Sequence, residues 1–263
     1  MTILLELDLT GALLEDIGSR PVERVMNRRR LALRTLVGRL ASAAEDPNVV
    51  GLLAKLGTTS ISLAQAQELS DAVARFRARG KDTIAWAETF GELGRATTAY
   101  VVAASFGELW LQPSGSVGLM GAAAAGTFVR GALDRAQIEP LFAQRHEYKN
   151  AADTFLRTEF TEAHREATER LAESAYEQIV SAVAVGRRLP ADRVRQLIDR
   201  APIPAAEAED AGLVDHLGYR DEVRQAVDRR WPDKPTLLYV SRYHRRWDSV
   251  RRASQARRPA VGL

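Results

Sequence analysis

The sequence predicts an α/β fold in which strands and helices alternate as parallel βαβ units, followed by a layer built only of helices. Three observations lead there. Residues 49–56 and 83–88 are continuous apolar runs of strand length, as expected of strands covered on both faces. Stretches with apolar residues at helical spacing separate these runs. Beyond Thr161 the helical period dominates, so the alternation that builds a parallel sheet gives way to helices.

Residues 4–9 alternate apolar side chains with Glu6 and Asp8 and read as a strand. Residues 28–45 place Leu31, Leu33, Leu36, Val37 and Leu40 at helical spacing. After the strand at 49–56, the segment 62–79 reads as a helix with Ser62 as N-cap and Gly80 as its stop. The strand at 83–88, a helix at 93–104 and a strand at 108–111 continue the series. The glycine-rich stretch from Pro113 to Gly121 is too permissive for a helix. A helix at 127–136 and a strand at 139–146 are then expected. Helices follow at 161–188, 190–200 (proline in the first turn), 205–213 and 221–231, and a strand-like run at 236–240. Residues 1–160 are read as the α/β core, 161–232 as a helical layer of the same domain, and 233–263 as linker and basic tail. Strand–helix–strand alternation calls for right-handed crossovers.

A chain of 263 residues, 46% hydrophobic and 27% charged, is large enough for one such domain and is not disordered in composition. It has no cysteine, which excludes disulfides and thiolate metal sites, and its four histidines show no ligand spacing. No metal and no cofactor are expected. No run of eighteen apolar residues exists to cross a bilayer. The first eight residues lack a basic segment and read as a strand rather than a leader. A membrane-associated or cytoplasmic location is expected. Seven arginines stand between Arg242 and Arg258 against one acid, Asp248. This run is read as a solvated linker or helix rather than a nucleic-acid surface, with peripheral contact to an anionic membrane as the other use of its charge.

Chemistry concentrates in His146-Glu147-Tyr148-Lys149-Asn150-Ala151-Ala152-Asp153-Thr154-Phe155, followed by Thr161-Glu162-Ala163-His164-Arg165-Glu166. Only four of the 37 basic residues are lysine, and one stands here, between a predicted strand and a long predicted helix. Lysine, unlike arginine, can lose its proton when desolvated and then serve as a general base. Lys149 is therefore a catalytic candidate, and Ala151 and Ala152 allow close packing around it. The alternative is a plain surface lysine at a strand end.

This stretch resembles the signal peptide peptidase A (protease IV) family, and the resemblance extends from about Leu4 into the low two-hundreds. The chain is similar to the amino-terminal half of the family's double-length members. The resemblance implies a spiral of βαβ units like that of the Clp proteolytic subunit and the crotonases, ring-like homo-oligomers, and a serine nucleophile with a lysine base. In double-length members the first half supplies the lysine and the second the serine, and Lys149 falls on that lysine. The position of the serine in single-length members is taken here by Ala96, which cannot attack a carbonyl. Thr97 and Thr98 are displaced along the helix and are poor substitutes. Ser105, Ser114 and Ser116 lie nearby, and turn formation accounts for Ser114 and Ser116.

The segment 115–121 falls on the family's glycine-rich strand beside the substrate path. Gly115, Ser116, Val117 and Gly118 are thus expected to offer backbone to an extended peptide by strand addition. Val117, Leu119 and Met120 suit a hydrophobic peptide, as a signal-peptide remnant is. The apolar end from Arg258 to Leu263 resembles the opening strand of a second half, with a frayed tail as the alternative. Three functions follow. The first is the lysine-bearing part of a serine peptidase; the second is an inactive scaffold or partner subunit of the same family. The last is an acyl-CoA enzyme of crotonase type, which would need paired oxyanion amides beside a carboxylate base.

Overall fold

The computed structural model describes residues 2–11, 13–15, 31–57, 61–91 and 96–243. In chain order these form β1 (Ile3–Asp8), the short strands β2 (Leu13–Leu14) and β3 (Leu31–Ala32), α1 (Leu33–Ala44), β4 (Val49–Leu56), α2 (Leu63–Ala78) and β5 (Asp82–Ala87). Next come α3 (Thr97–Ala104), β6 (Glu108–Leu111), β7 (Ser116–Val117), α4 (Arg130–Arg135), a 3-10 turn (Asn150–Ala152), α5 (Asp153–Leu156) and the long α6 (Glu162–Arg187). The chain then makes α7 (Ala191–Arg200), β8 (Ile203–Pro204), α8 (Ala205–Asp210), β9 (His216–Leu217), α9 (Arg220–Arg230) and β10 (Thr236–Tyr239). These elements divide into two compact units, Met1–Met120 with Ala182–Leu263, and Gly121–Ser181.

The first unit holds a six-stranded sheet in the order β10-β1-β4-β5-β6-β9, every neighbouring pair parallel. Parallel strands need crossovers, and α1, α2 and α3 provide the first three. Strand pleating sends Leu4, Leu53, Ile84, Trp86 and Trp110 to one face, where they pack with Val223 and Val227 of α9. Leu5, Leu52, Ala85 and Leu109 point to the other face and are fully buried. At roughly 1.5–3 kcal/mol for each large side chain, these two layers dominate the stabilisation of the unit.

Local signals in the sequence operate as read. The Ser62 hydroxyl accepts from the Gln65 amide at 3.2 Å while the Gln65 side chain accepts from the Ser62 amide at 2.9 Å, a full capping box. Gly80 ends α2 with φ of +74°, which a side chain would resist.

The structure corrects several readings. Residues 139–146 are irregular and exposed rather than a strand, since the unit that contains them has no sheet ladder to receive one. The helix expected at 127–136 is reduced to α4. Residues 236–239 are not linker: β10 is an edge strand of the main sheet, paired with β1 from Ile3↔Thr236 to Glu6↔Tyr239. The helical layer is likewise divided, because most of α6 belongs to the second unit and α7 to α9 belong to the first. The start of the helix expected at 93 and the arginine run beyond Tyr243 lie outside the described residues.

Gly186, near the end of α6, lets this helix approach α3. A Cβ there would fall inside contact distance of the Ala104 carbonyl oxygen, and 3.2 Å from the Ala104 methyl. Alanine would gain up to about 1 kcal/mol in helix propensity. Displacing a packed backbone costs about 1–3 kcal/mol, and the clash wins. Gly186→Ala is therefore expected to lower stability by about 1 kcal/mol in urea denaturation, where an exposed helical glycine would raise it.

Candidate active site

The head of α3 is where the sequence reading places the missing nucleophile. Ala96 is the N-cap, 1% exposed, and its methyl group offers no chemistry. The two hydroxyls that follow are both engaged. Thr97 Oγ1 donates to the Met120 carbonyl at 2.8 Å and accepts from the Met120 amide at 3.0 Å. Thr98 Oγ1 donates to the Ile61 carbonyl at 3.0 Å. Ser105 ends the helix and turns its hydroxyl back to Val102 at 2.6 Å. Ser114 Oγ accepts from the Gln112 side chain at 2.7 Å. These threonines and serines act as clamps and caps.

Gly115, Ser116, Val117 and Gly118 run alongside the residues that follow β5. Phe90 donates to the Ser116 carbonyl at 2.9 Å, and Gly118 donates to the Phe90 carbonyl at 2.7 Å. The other side is occupied too: Ser116 and Val117 pair antiparallel with Pro204 and Ile203, and Ala205 donates to the Gly115 carbonyl at 3.1 Å. Both edges of 115–118 are thus used within the chain, so strand addition there would have to displace β8. A Cβ on Gly118 would come within 2.5 Å of the Gly91 oxygen, which explains glycine at this crossing. Unpaired backbone begins further on: residues 121–128 make no backbone hydrogen bond to other described residues.

A polar cluster within the same unit fixes the position of α3. Arg187, 7% exposed, forms a two-pronged pair with Asp215 at 2.7 and 2.9 Å and donates through Nε to the Gly212 carbonyl at 3.0 Å. Asp215 also accepts from the Leu109 amide at 2.8 Å, at the start of β6. Tyr100, fully buried in α3, donates to the Leu213 carbonyl at 2.7 Å. Burial, which favours the neutral phenol, pushes the Tyr100 hydroxyl well above its ordinary range. Burial works against the Asp215 carboxylate, yet the hydrogen bonds and charge of Arg187 outweigh it and hold the carboxyl below its usual range. Nothing local in the sequence announces this cluster, whose members stand far apart.

Lys149 belongs to the second unit. It lies in a turn whose amide donates to the His146 carbonyl at 3.2 Å, with His146 in the left-handed region at φ of +66°. The 3-10 turn Asn150–Ala152 and α5 follow at once. Lys149 and Ala151 are exposed, so the residues beside Lys149 do not supply the desolvation expected of a lysine base. Its neighbour Tyr148 donates to Glu166 at 2.7 Å, and this bond and the Glu166 charge raise the phenol above its ordinary range. Asp153, 2% exposed, faces His164 Nδ1 at 3.3 Å, an ion-pair distance without hydrogen-bond alignment. His164 in turn packs edge-on to Phe160 and Phe128. An open cleft of about 720 Å³ lies alongside, lined by His146, Glu147, Tyr148, Asp153, Glu162 and Glu166 among others. The motif of the sequence is thus brought together around Asp153 and His164, with Lys149 on its outer side. Among the described residues no group of three or more His, Cys, Asp or Glu is placed to hold a metal ion, and no helix is long and apolar enough to cross a membrane.

Residues 75–230 match peptidase family S49. Protease 4 of Salmonella typhi is 24% identical over 242 residues, covering 85% of this chain and 37% of that protein. The chloroplastic serine protease SPPA of Arabidopsis thaliana is 23% identical over 200 residues, covering 76% of this chain and 29% of its own length. The chain therefore spans about a third of the length of the curated relatives it matches. Among solved structures it is similar to a probable enoyl-CoA hydratase/isomerase from Mycobacterium abscessus, at 13% identity and a TM-score of 0.40, covering 76% of this chain and 65% of that one.

Removing one partner of a buried pair strands the other charge, so Arg187→Met is expected to cost about 3 kcal/mol of stability in denaturant titration. The pH dependence has a definite sign. The Asp215 carboxyl is held below its unfolded value of about 3.9, so its stabilisation is complete above that pH and is lost as pH falls through the folded value. Asp215→Asn should therefore be less stable at neutral pH yet lose less stability between pH 6 and pH 3 than the unaltered protein. An equal loss in both would exclude this role.

Proposed function

Because the chain belongs to peptidase family S49, we propose that it is the lysine-bearing part of a serine peptidase that hydrolyses hydrophobic peptides such as signal-peptide remnants. The observation that carries this reading is the family match across 75–230, which spans Lys149 and also Ala96 at the head of α3. In this reading Lys149 Nζ, neutral when desolvated, takes the proton of a serine hydroxyl supplied from outside the described residues as that oxygen attacks the peptide carbonyl. The resulting ammonium returns the proton to the leaving amine. Gly115 to Gly118 border the peptide, whose addition as a strand would displace β8.

Assembly belongs to the same proposal. Residues 121–160 bury only Asp153, while Leu141 and Phe142 are 88% and 50% exposed, and Phe142 stacks on the exposed Phe155. A homo-oligomer, or a second half of the same protein, that covers this surface would gain about 1.5–3 kcal/mol for each large side chain buried. It would also remove water from the segment that carries Lys149.

The second reading is a non-catalytic subunit that lends structure to an active homologue. Ala96 and the engaged hydroxyls of Thr97 and Thr98 favour it.

Lys149→Ala separates the two. In the assembled enzyme, with an apolar fluorogenic peptide, the catalytic reading expects kcat to fall by about 10²–10⁴ while the assembly mass is unchanged. Unchanged kcat would establish the scaffold. For assembly, Leu141→Asp with Phe142→Asp is expected to lower the mass in sedimentation, and an unaltered mass would remove this surface from the interface.

A further inference from the structure

We infer that the carboxyl ends of the central strands, on the α9 side of the sheet, form a site for a small zwitterion, a free α-amino acid. The register leads there. On this face the apolar rows of the sheet turn polar at one corner, where Glu6 pairs in register with Tyr239, and Lys55 with Trp86. The first two turns of α9 pass over that corner and contribute Arg220 and Arg224. These six residues line a partly open cavity of about 110 Å³. Crevices outside the carboxyl ends of parallel strands are common ligand positions in α/β sheets.

The charges decide the class of ligand. Lys55 is already paired with Glu88 at 2.9 Å and stands 5.2 Å over the Trp86 ring. Asp8, also on the lining, accepts from the Thr10 amide and hydroxyl at 2.9 and 2.6 Å. Four charged groups remain without an ion-pair partner among the described residues: the half-buried Glu6, Asp8, Arg220 and Arg224. A bare anion would meet the Glu6 and Asp8 carboxylates, and a bare cation would meet two guanidinium groups. A carboxylate near Arg220 and Arg224 with an ammonium toward Glu6 satisfies both, and Arg suits carboxylates through its paired donors. Trp86, whose Nε1 is bound to the Gly218 carbonyl at 3.3 Å, forms a fixed apolar wall, and Tyr239 forms the exposed rim. The reading is independent of peptidase activity.

The test is isothermal titration of the protein with L-alanine, compared with acetate and ethylamine, which each carry half of its charge. Saturable binding of alanine is expected, with each half-ligand at least about tenfold weaker. Glu6→Gln and Arg224→Gln should each weaken alanine by about tenfold, as loss of one charge-assisted hydrogen bond implies, with the far-ultraviolet dichroism unchanged. Arg224 is exposed on α9, so its substitution and the half-ligand series decide the matter even if Glu6→Gln fails to fold. No saturable heat, acetate binding as tightly as alanine, or affinity indifferent to Arg224→Gln would each overturn the proposal.

Discussion

The pairing of Arg187 with Asp215 is the constraint on which the rest of the first unit depends. A buried guanidinium is tolerable only where its donors are met, and here three of them are, by both oxygens of Asp215 and by the Gly212 carbonyl. Asp215 passes the restraint on by accepting from the Leu109 amide, which fixes the start of β6. Next to it the Tyr100 hydroxyl holds the Leu213 carbonyl, and Gly186, one residue before Arg187, lets α6 touch the end of α3. The helix whose head bears Ala96 is thus held by groups more than eighty residues away in sequence. Apolar packing alone would allow α3 to slide along its axis; these directional bonds do not.

Much of the sheet was legible in the sequence because its strands announce themselves. The runs at 49–56 and 108–111 coincide with β4 and β6, and the Ser62 cap and Gly80 bound α2 as read. The elements that were missed are short: β7, β8 and β9 have two residues each, too few to show any period. They matter nonetheless, since β8 covers the edge of β7 that a peptide was expected to use. The failure at 139–146 has another origin. A segment expected as a strand forms one only if a ladder partner exists, and the second unit has none.

The candidate site was legible in its residues and not in its geometry. The motif around Lys149 could be read because its residues lie close together in sequence, and the pairing of Tyr148 with Glu166 joins its two parts. Desolvation is different in kind. Whether a lysine is buried depends on what packs over it, and Ala151 and Ala152 permit close packing without supplying it. The Arg187 cluster was invisible for a related reason: in an arginine-rich chain, one buried arginine looks like any other until its acid is found.

The exposed state of the second unit bears on chemistry as much as on packing. A soluble surface rarely keeps a stacked phenylalanine pair and an almost fully exposed leucine on one short segment unless another surface covers them. A lysine base has the converse need, because water favours its ammonium form and only exclusion of water frees the amine. Residues 141–155 contain both features, so one association event can serve both. Covering Leu141, Phe142 and Phe155 is favourable by several kcal/mol, and part of that gain can offset the cost of drying the lysine beside them. In such an arrangement the base is competent only in the assembled protein.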